Sequence, residues 1–451
     1  MKHTEFLRIG GGAGFSDDRI PPAVELAELG DIDYLVFECL AERTIAREQQ
    51  TKLQNPSKGY TPRLQERMAA VLPACVAKHI RIVTNMGAAN PESAANETRK
   101  LAKELGLGDV SCAVVTGDDV TELVRAHPEL EIMENGLPVE SLLPQMIASN
   151  AYLGADVIVK ALETDAQIII TGRVADPSLF LAPMMHEFKW SYDDLERIAA
   201  GTVCGHLLEC GAQVSGGNFA DPGKKVVDRL SELGNPFADV AANGSFSISK
   251  VAGSGGLVSV ATVKEQLLYE LHDPSHYITP DCVLDVTDLE LIQLAKDRVQ
   301  VLSARGKPRT PSYKVTVGYD DGYIGEGQIS YAGPNALERA KWGAQIVQDR
   351  LKQRGFSYSE FRVDYIGMSS LHGLPENKIE PYEVRLRLVV RTPSKTAAQA
   401  VGFECRALHL NGPTGAGGGI DPLVKSVLAV QSVLIPRHWI DSKIQIRKMG
   451  S

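Results

Sequence analysis

One short stretch of the sequence places an imidazole and a carboxylate at a spacing suited to joint chemistry. His206 and Glu209 are three residues apart in a segment with a helical pattern, so they share one helical face. Such a pair can transfer protons as a general acid and base, or it can supply two ligands to a metal ion. No third ligand follows at a diagnostic spacing, so no cofactor is firmly implied, and a divalent metal stays an open alternative. A purely structural pair is the competing interpretation.

Further charged and polar side chains follow the ends of predicted strands. Arg173 comes directly after the apolar run 168–171 and its glycine, and Asp176 with the next proline is typical of a first helical turn. Glu38 and Asn85 end two other predicted strands. We predict that Glu38 transfers protons and that Arg173, with Asp176 and Asn85, binds a carboxylate or phosphate group of a substrate. A surface arginine, or an ion pair with Asp176, is the alternative.

Glycine-rich turns precede predicted helices at residues 10–14, 253–257 and 412–419. Backbone N–H groups in such turns can surround an anion. The first turn has Phe15 at the third glycine position of the dinucleotide-binding pattern, so it departs from that pattern. Tight turns that need glycine are the alternative. We assign anion binding to Gly11 and Gly12 of the first turn, to Gly255 and Gly256 of the second with the nearby Lys250, and to Asn218 of a further glycine-rich loop at 215–223.

The order of predicted elements defines the fold class. Strands and helices alternate through the first half, which predicts an α/β protein with an N-terminal Rossmann-like parallel sheet and flanking helices. After about residue 281 the pattern predicts a C-terminal α+β domain with antiparallel strands. The expected domains are therefore 1–190, a central segment 191–280 that completes the site, and 281–451. Residues 141–153 and 421–434 are both expected to be helices.

Composition limits the classes of function. The chain has 451 residues, a net charge of -9 and a pI near 5.7, which argue against binding to nucleic acid or to an anionic membrane. Its seven cysteines are scattered, as expected of reduced thiols. No signal-peptide pattern or apolar stretch of membrane-spanning length is present, so we expect a cytoplasmic protein. The motifs of common kinases, serine hydrolases and zinc proteases are also missing.

Five long motifs carry a resemblance to a known family: RIGGGAGFSDDR (8–19), DYLVFECLAERT (33–44), ITGRVADPSLF (170–180), HLLECGAQVSGGNFADPG (206–223) and GSGGLVSVATVKEQLLYELHDPSHYITPD (253–281). Together they resemble the acyclic terpene utilization protein A (AtuA) family, from about residue 5 to 445. The resemblance implies a part in the catabolism of branched terpenoid acids through CoA thioesters. Longer relatives carry a C-terminal ferredoxin-like domain, so a small ferredoxin-like partner subunit is also implied. It assigns no role to individual residues.

These observations favour an enzyme that acts on an anionic small molecule, either an acyl-CoA thioester or a polycarboxylic hydroxy acid, and that forms homo-oligomers. Lyase, hydratase or isomerase chemistry suits a site with carboxylates, a histidine and anion-binding turns. Two alternatives stay open at the level of the sequence. The chain could be a binding or scaffold subunit that works with the ferredoxin-like partner, or a nucleotide-dependent oxidoreductase that uses the first glycine turn.

Overall fold

The computed structural model describes residues 5–374 and 380–450. The chain forms two compact units, the first within Met1–Gly318 and Val430–Ser451 and the second within Tyr319–Ala429. The boundaries that the sequence suggested, after residues 190 and 280, do not coincide with those of the units. Consecutive segments of the sequence cannot describe the first unit, because the chain returns to this unit at Val430. The division into domains 1–190, 191–280 and 281–451 stays a prediction.

The described residues form twelve α-helices and nineteen strands. The helices are α1 (Pro21–Leu29), α2 (Glu42–Gln54), α3 (Leu64–Ala77), α4 (Pro91–Glu104), α5 (Thr121–Ala126), α6 (Ala155–Leu162), α7 (Ser178–Phe188), α8 (Leu195–Glu209), α9 (Val260–Leu268), α10 (Ala336–Gln353), α11 (Lys395–Asn411) and α12 (Arg437–Asp441). The strands are β1 (Leu7–Ala13), β2 (Tyr34–Phe37), β3 (Arg81–Thr84), β4 (Cys112–Thr116), β5 (Met146–Ala151), β6 (Ile168–Thr171), β7 (Pro236–Val240), β8 (Phe246–Lys250), β9 (Tyr277–Ile278), β10 (Val283–Asp285), β11 (Glu290–Ala295), β12 (Arg298–Leu302), β13 (Arg305–Lys307), β14 (Ser312–Ala332), β15 (Glu360–Ile366), β16 (Glu383–Thr392), β17 (Ala416–Gly417), β18 (Leu423–Pro436) and β19 (Gln445–Met449).

The first unit is built on a ten-stranded sheet with the order β11-β12-β8-β7-β1-β2-β3-β6-β4-β19. Its central strands β1, β2, β3, β6 and β4 are parallel neighbours. Strands β7 and β19 pair antiparallel at the two sides of this block. Ile168, Ile169 and Ile170 of β6 are all buried, as expected of a strand covered on both faces. The α/β class is therefore confirmed with a mixed sheet, while the Rossmann-like arrangement is not confirmed.

The first glycine-rich turn of the sequence lies inside a strand. Strand β1 continues to Ala13, so Gly10 and Gly11 pair with β2, and Gly10 also pairs with β7. These glycines therefore lie in a strand and do not form the expected loop. Glycine is required here because other residues pack closely against the strand. A Cβ atom at Gly11 would lie 2.8 Å from the carbonyl oxygen of Leu208 in α8, and one at Gly12 would lie 2.4 Å from the ring of Phe37. Glycine thus lets α8 approach the centre of the sheet closely.

Two segments that the sequence predicted as helices are strands, so these predictions were wrong. Residues 141–153 contain β5, and residues 421–434 fall largely within β18. Both β5 and β18 pair with the long strand β14. Backbone hydrogen bonds to a partner far away in the sequence therefore determine their conformation, and the periodicity of a short apolar segment does not reveal such a partner.

The second unit has the order strand, helix, strand, strand, helix, strand. Strands β15, β16 and β14 are antiparallel neighbours, and β17 and β18 pair with β14. Helices α10 and α11 cover one face, where Ile329, Leu386 and Leu388 of the sheet join Val347 and Val401 of the helices in one core. This is the split βαβ arrangement of ferredoxin-like domains. It agrees with the antiparallel strands that the sequence predicted for the C-terminal part.

Candidate active site

A cavity of about 950 Å³ lies in the first unit, within the size range of small-molecule sites. Segments that follow β1, β2, β5 and β6, and the C-terminal ends of α8 and α9, contribute to its wall. The carboxyl ends of parallel strands in one sheet share an edge, which is the usual place for a ligand in α/β proteins. The charged and hydrogen-bonding side chains on which its chemistry depends are Glu38, Glu42, Tyr152, Arg173, Asp176 and Glu209.

Arg173 lies two residues after β6 and is only 2% exposed. Its Nη1 donates to the carbonyl oxygen of Leu40 and to Oδ1 of Asp176, the latter at 2.7 Å. The guanidinium carbon lies 4.0 Å from the ring centre of Tyr152. The backbone N–H donates to Oδ2 of Asp118 at 2.9 Å. Arg173 is therefore a fixed, buried cation on the cavity wall that also forms the ion pair with Asp176.

Glu38 directly follows β2 and is held by two donors. Its Oε1 accepts hydrogen bonds from the N–H of Leu40 at 2.7 Å and from Nδ2 of Asn85 at 3.1 Å. Oδ1 of Asn85 in turn accepts from the N–H of Cys39 at 2.8 Å. Burial, reinforced by the negative charge of Asp176, raises the pKa of Glu38 to about 8. Asn85, for which the sequence predicted a role in binding the substrate anion, orients this carboxyl group.

His206 and Glu209 form the pair that their spacing predicted. Nδ1 of His206 is 2.9 Å from Oε1 of Glu209, and Nε2 is 3.1 Å from the carbonyl oxygen of Leu267. A carbonyl oxygen only accepts hydrogen bonds, so Nε2 must carry a proton. Burial raises the pKa of Glu209 to about 7, although His206 acts in the opposite direction. Only Glu209 lines the cavity, and its Oε2 is buried without a hydrogen-bond partner in the described structure.

Glu42, the first residue of α2, has the opposite electrostatic character. It accepts a hydrogen bond from the hydroxyl of Tyr152 at 2.5 Å, and Nζ of Lys314 lies 3.4 Å away. Burial favours its neutral form, but the charge of Arg173 and the hydrogen bond from Tyr152 prevail and lower the pKa of Glu42 to about 2. Glu42 is therefore ionised at every physiological pH and balances the cations beside it.

The cavity thus combines carboxyl groups with different proton affinities. Near neutral pH the pKa values of about 8 for Glu38 and about 7 for Glu209 allow each group to give or take a proton, whereas Glu42 is a permanent anion. Burial and neighbouring charges separate the pKa values of carboxyl groups in the same way at many acid–base active sites. The arrangement can therefore protonate one atom of a ligand and deprotonate another.

The other residues that the sequence assigned to anion binding do not line the cavity. Nζ of Lys250 donates to the carbonyl oxygen of Ser254 at 2.9 Å and pairs with Asp297 at 3.3 Å. The N–H groups of Gly255 and Gly256 are used by carbonyl oxygens of residues 232 and 228. The remaining three are the strand residues Gly11 and Gly12 and the exposed residue Asn218. A role for these positions in binding stays a prediction without support from their contacts.

Sequence reasoning missed several residues of the cavity wall. Tyr152 follows β5, which had been predicted as a helix, and Lys314 lies in β14, in a region expected to form a different domain. Cys210, Glu270 and Tyr277 also line the cavity. Tyr277 and Glu270 lie inside the fifth quoted motif, which was the one available indication of their importance. Among the described residues, no group of three or more His, Cys, Asp or Glu side chains is arranged to hold a metal ion.

The raised pKa of Glu38 predicts how stability depends on pH. Between about pH 4.5 and pH 8 the folded protein holds this proton while the unfolded chain releases it, so the free energy of unfolding falls as the pH rises. Each such proton contributes about 1.4 kcal/mol per pH unit. We expect the Glu38→Gln variant to lose less stability than the unmodified protein between pH 6 and 8, measured by urea unfolding. The exposed Glu140→Gln variant is the control. If the free energy of unfolding depended on pH equally in Glu38→Gln and in the unmodified protein, the raised pKa of Glu38 would be contradicted.

His206 is expected to control the proton on Glu209. The hydrogen bond from His206 lowers the pKa of Glu209, so the His206→Ala variant should raise that pKa and cost about 1–3 kcal/mol of stability through the buried group left unpaired. Carbon-13 NMR of labelled glutamate side chains measures the titration, and thermal unfolding measures the stability. The half-buried His186→Ala variant is the control for the loss of an imidazole elsewhere. An unchanged Glu209 titration in His206→Ala would rule out this role.

The first unit is an α/β structure whose cavity is lined by carboxyl groups with shifted pKa values. Residues 7–446 match the family model described as acyclic terpene utilisation family protein AtuA, and the chain belongs to this family. The resemblance that the sequence motifs suggested is thereby confirmed. No curated protein matches the chain. Within the described residues, no helix combines the length and the apolar character that crossing a membrane requires.

Proposed function

We propose that the protein is an enzyme that transfers protons to and from a small anionic substrate bound in the cavity of the first unit, as a hydratase, dehydratase or isomerase does. The observation that carries the proposal is the placement of Glu38 and Glu209 on one cavity wall, with pKa values of about 8 and about 7. Groups with pKa values near the working pH are the most effective general acids and bases. The family description adds a role in the utilisation of acyclic terpenes.

Glu209 is suited to act as the base. Its Oε2 has no hydrogen-bond partner in the described structure, and its other oxygen contacts His206, which can share the proton that Glu209 takes. Glu38 is suited to act as the acid, because its pKa of about 8 leaves it largely protonated at pH 7. In a dehydration, Glu209 would remove a C–H proton, the C–H electrons would form a double bond, and Glu38 would protonate the departing hydroxyl group to release water.

Arg173 and Lys314 support the choice of an anionic substrate. Arg173 is buried on the cavity wall, and Nζ of Lys314, which also lines the cavity, lies 5.0 Å from the centre of the Tyr152 ring. A carboxylate or a thioester oxygen beside these cations would be polarised, which increases the acidity of the neighbouring C–H bond. Apolar side chains of the same cavity, including Ile278 and Leu434, suit an aliphatic chain. An acyl-CoA thioester or a polycarboxylic hydroxy acid combines these properties.

Hydrogen exchange measures proton transfer directly, whatever product the reaction forms. The protein is incubated in D2O with branched acyl-CoA thioesters and with di- and tricarboxylic hydroxy acids, and mass spectrometry records deuterium incorporation and the gain or loss of water. We expect exchange with at least one compound that raises the melting temperature, and loss of exchange in the Glu38→Gln and Glu209→Gln variants. A compound that binds in the cavity yet shows no exchange, hydration or isomerisation would count against an enzyme and for a binding protein.

A further inference from the structure

The third glycine-rich segment of the sequence forms an exposed turn of the second unit. Ala416 and Gly417 pair with Tyr331 and Ser330 of β14, and the chain then turns away. Gly415 and Gly418 have φ angles of +77° and +60°, which favour glycine. Gly418 and Gly419 are exposed. The backbone of this turn is therefore open to a ligand.

Arg339 holds the turn, and no carboxylate of the described residues pairs with its charge. Its guanidinium donates to the carbonyl oxygens of Thr414 at 2.7 Å, Ala332 at 2.6 Å and Pro334 at 2.9 Å. No ion pair to Arg339 exists within the described residues. The side chain thus fixes the start of the turn and leaves a positive charge beside it.

Arg385 provides a second cation at the same turn. In the part of the chain that the structure describes, its one polar side-chain contact is a 3.3 Å hydrogen bond from Nη1 to Oε1 of Gln328. The nearby carboxylates Glu326 and Asp364 do not neutralise it, because each already lies 2.8 Å from Arg387, two residues further along the same strand. Among the described residues, no acceptor contacts the Nη2 atom of Arg385, which can therefore bind a ligand.

Arg385 and the glycine turn face a common small space. A Cβ atom built on Gly418 would lie 3.7 Å from Nη2 of Arg385 and 3.8 Å from Oγ of Ser330. The Oγ atom of Ser330 is buried and has no hydrogen-bond partner in the described structure. A buried hydroxyl group without a partner is costly, and an oxygen atom bound at this position would supply the missing acceptor.

We propose that the Gly415–Gly419 turn, with Arg385 and Ser330, is a phosphate-binding site in the second unit. Arginine binds phosphate through two parallel N–H donors, and glycine lets the backbone approach the anion closely. The ligand is a phosphate group, either inorganic or part of a nucleotide-like cofactor or substrate. The proposal does not depend on the reaction assigned to the first unit, since it concerns other residues and a different ligand group.

Isothermal titration calorimetry of the full chain tests the site with two probes, inorganic phosphate and adenosine 3′,5′-bisphosphate. We expect phosphate binding that the Arg385→Gln variant weakens at least about tenfold, since charge-assisted hydrogen bonds to a phosphate are lost. Arg362→Gln is the matched control. Arg362 also lies in the sheet of the second unit but is paired with Asp364 at 2.8 Å, so its loss should leave phosphate binding unchanged.

A pair of glycine variants tests the geometry. Gly418→Ala places a methyl group in the space between Arg385 and Ser330 and should weaken binding, whereas a Cβ atom at Gly417 meets no atom within 4 Å, so Gly417→Ala should not. Circular dichroism verifies folding of each variant. Tighter binding of the bisphosphate than of phosphate would identify a nucleotide-like ligand, and equal binding would identify the free anion. The proposal would be overturned if neither probe bound, or if the Arg385→Gln variant bound phosphate with the same affinity as the unmodified protein.

Discussion

Replacement of Glu38 by glutamine is expected to lower the rate of hydrogen exchange or turnover by a factor of about 10²–10⁴, the usual contribution of a general acid or base. Glutamine preserves the shape of the side chain and can still accept the hydrogen bonds from Leu40 and Asn85. It cannot release a proton. The loss should therefore appear in kcat, with little change in KM, in steady-state kinetics with a substrate identified by the exchange screen.

Glu270→Gln is the matched control for this prediction. Glu270 lines the same cavity, but it is exposed and makes no hydrogen bond to Glu38. Its replacement removes one carboxylate from the cavity and is expected to change kcat less than about tenfold, because it removes no positioned proton donor. If kcat fell equally in the two variants, the effect of replacing Glu38 would be due to the overall charge of the cavity. Full activity of Glu38→Gln would exclude it as the acid.

Replacement of Arg173 by leucine is expected to destabilise the first unit by about 3 kcal/mol, at the lower end of the range for breaking a buried ion pair. The variant leaves Asp176 without its cation and the carbonyl oxygen of Leu40 without its donor. The lower end applies because the side chain of Asp176 is about one-third exposed, so water can partly compensate its charge. Urea unfolding monitored by tryptophan fluorescence measures the change.

Two further variants separate the ion pair from simple loss of packing. The double variant Arg173→Leu with Asp176→Asn removes both charges and should lose less stability than the sum of the single variants. Lys341→Leu removes an exposed pair with Glu338 in the second unit and should cost less than about 1 kcal/mol. If the two single variants were strictly additive in the double variant, Arg173 and Asp176 would not act as a pair.

The sequence predicted the site best where the local pattern determines geometry. Arg173 follows a β-branched run that forms a strand of the parallel block. A residue just after the carboxyl end of such a strand must lie at the edge of the sheet. The same argument places Glu38 beside Asn85, and the distance of 3.1 Å between their side chains agrees with it. The pairing of His206 with Glu209 follows from helical spacing alone. All three inferences need only secondary structure and the parallel order of strands.

The sequence failed where contacts between distant segments decide. Tyr152 reaches the cavity because β5 pairs with β14, and no local pattern near residue 152 reports that pairing. Gly11 and Gly12 look like a phosphate turn in the sequence, yet they are needed because α8 and Phe37 pack against them. Lys250 looked free to bind an anion until the fold brought Asp297 to it. Each of these contacts joins residues more than 20 positions apart, and anion binding by Gly11, Gly12 and Lys250 stays a prediction.

The return of the chain to the first unit at Val430 has a consequence for synthesis in the cell. Strand β19 is the last of the described elements, and it pairs with β4 at one edge of the main sheet. During translation β4 leaves the ribosome more than 300 residues before its partner, so its edge stays unpaired until β19 has been made. An unpaired strand edge invites association with other chains. The nascent protein therefore exposes an edge that is prone to aggregation until β19 emerges.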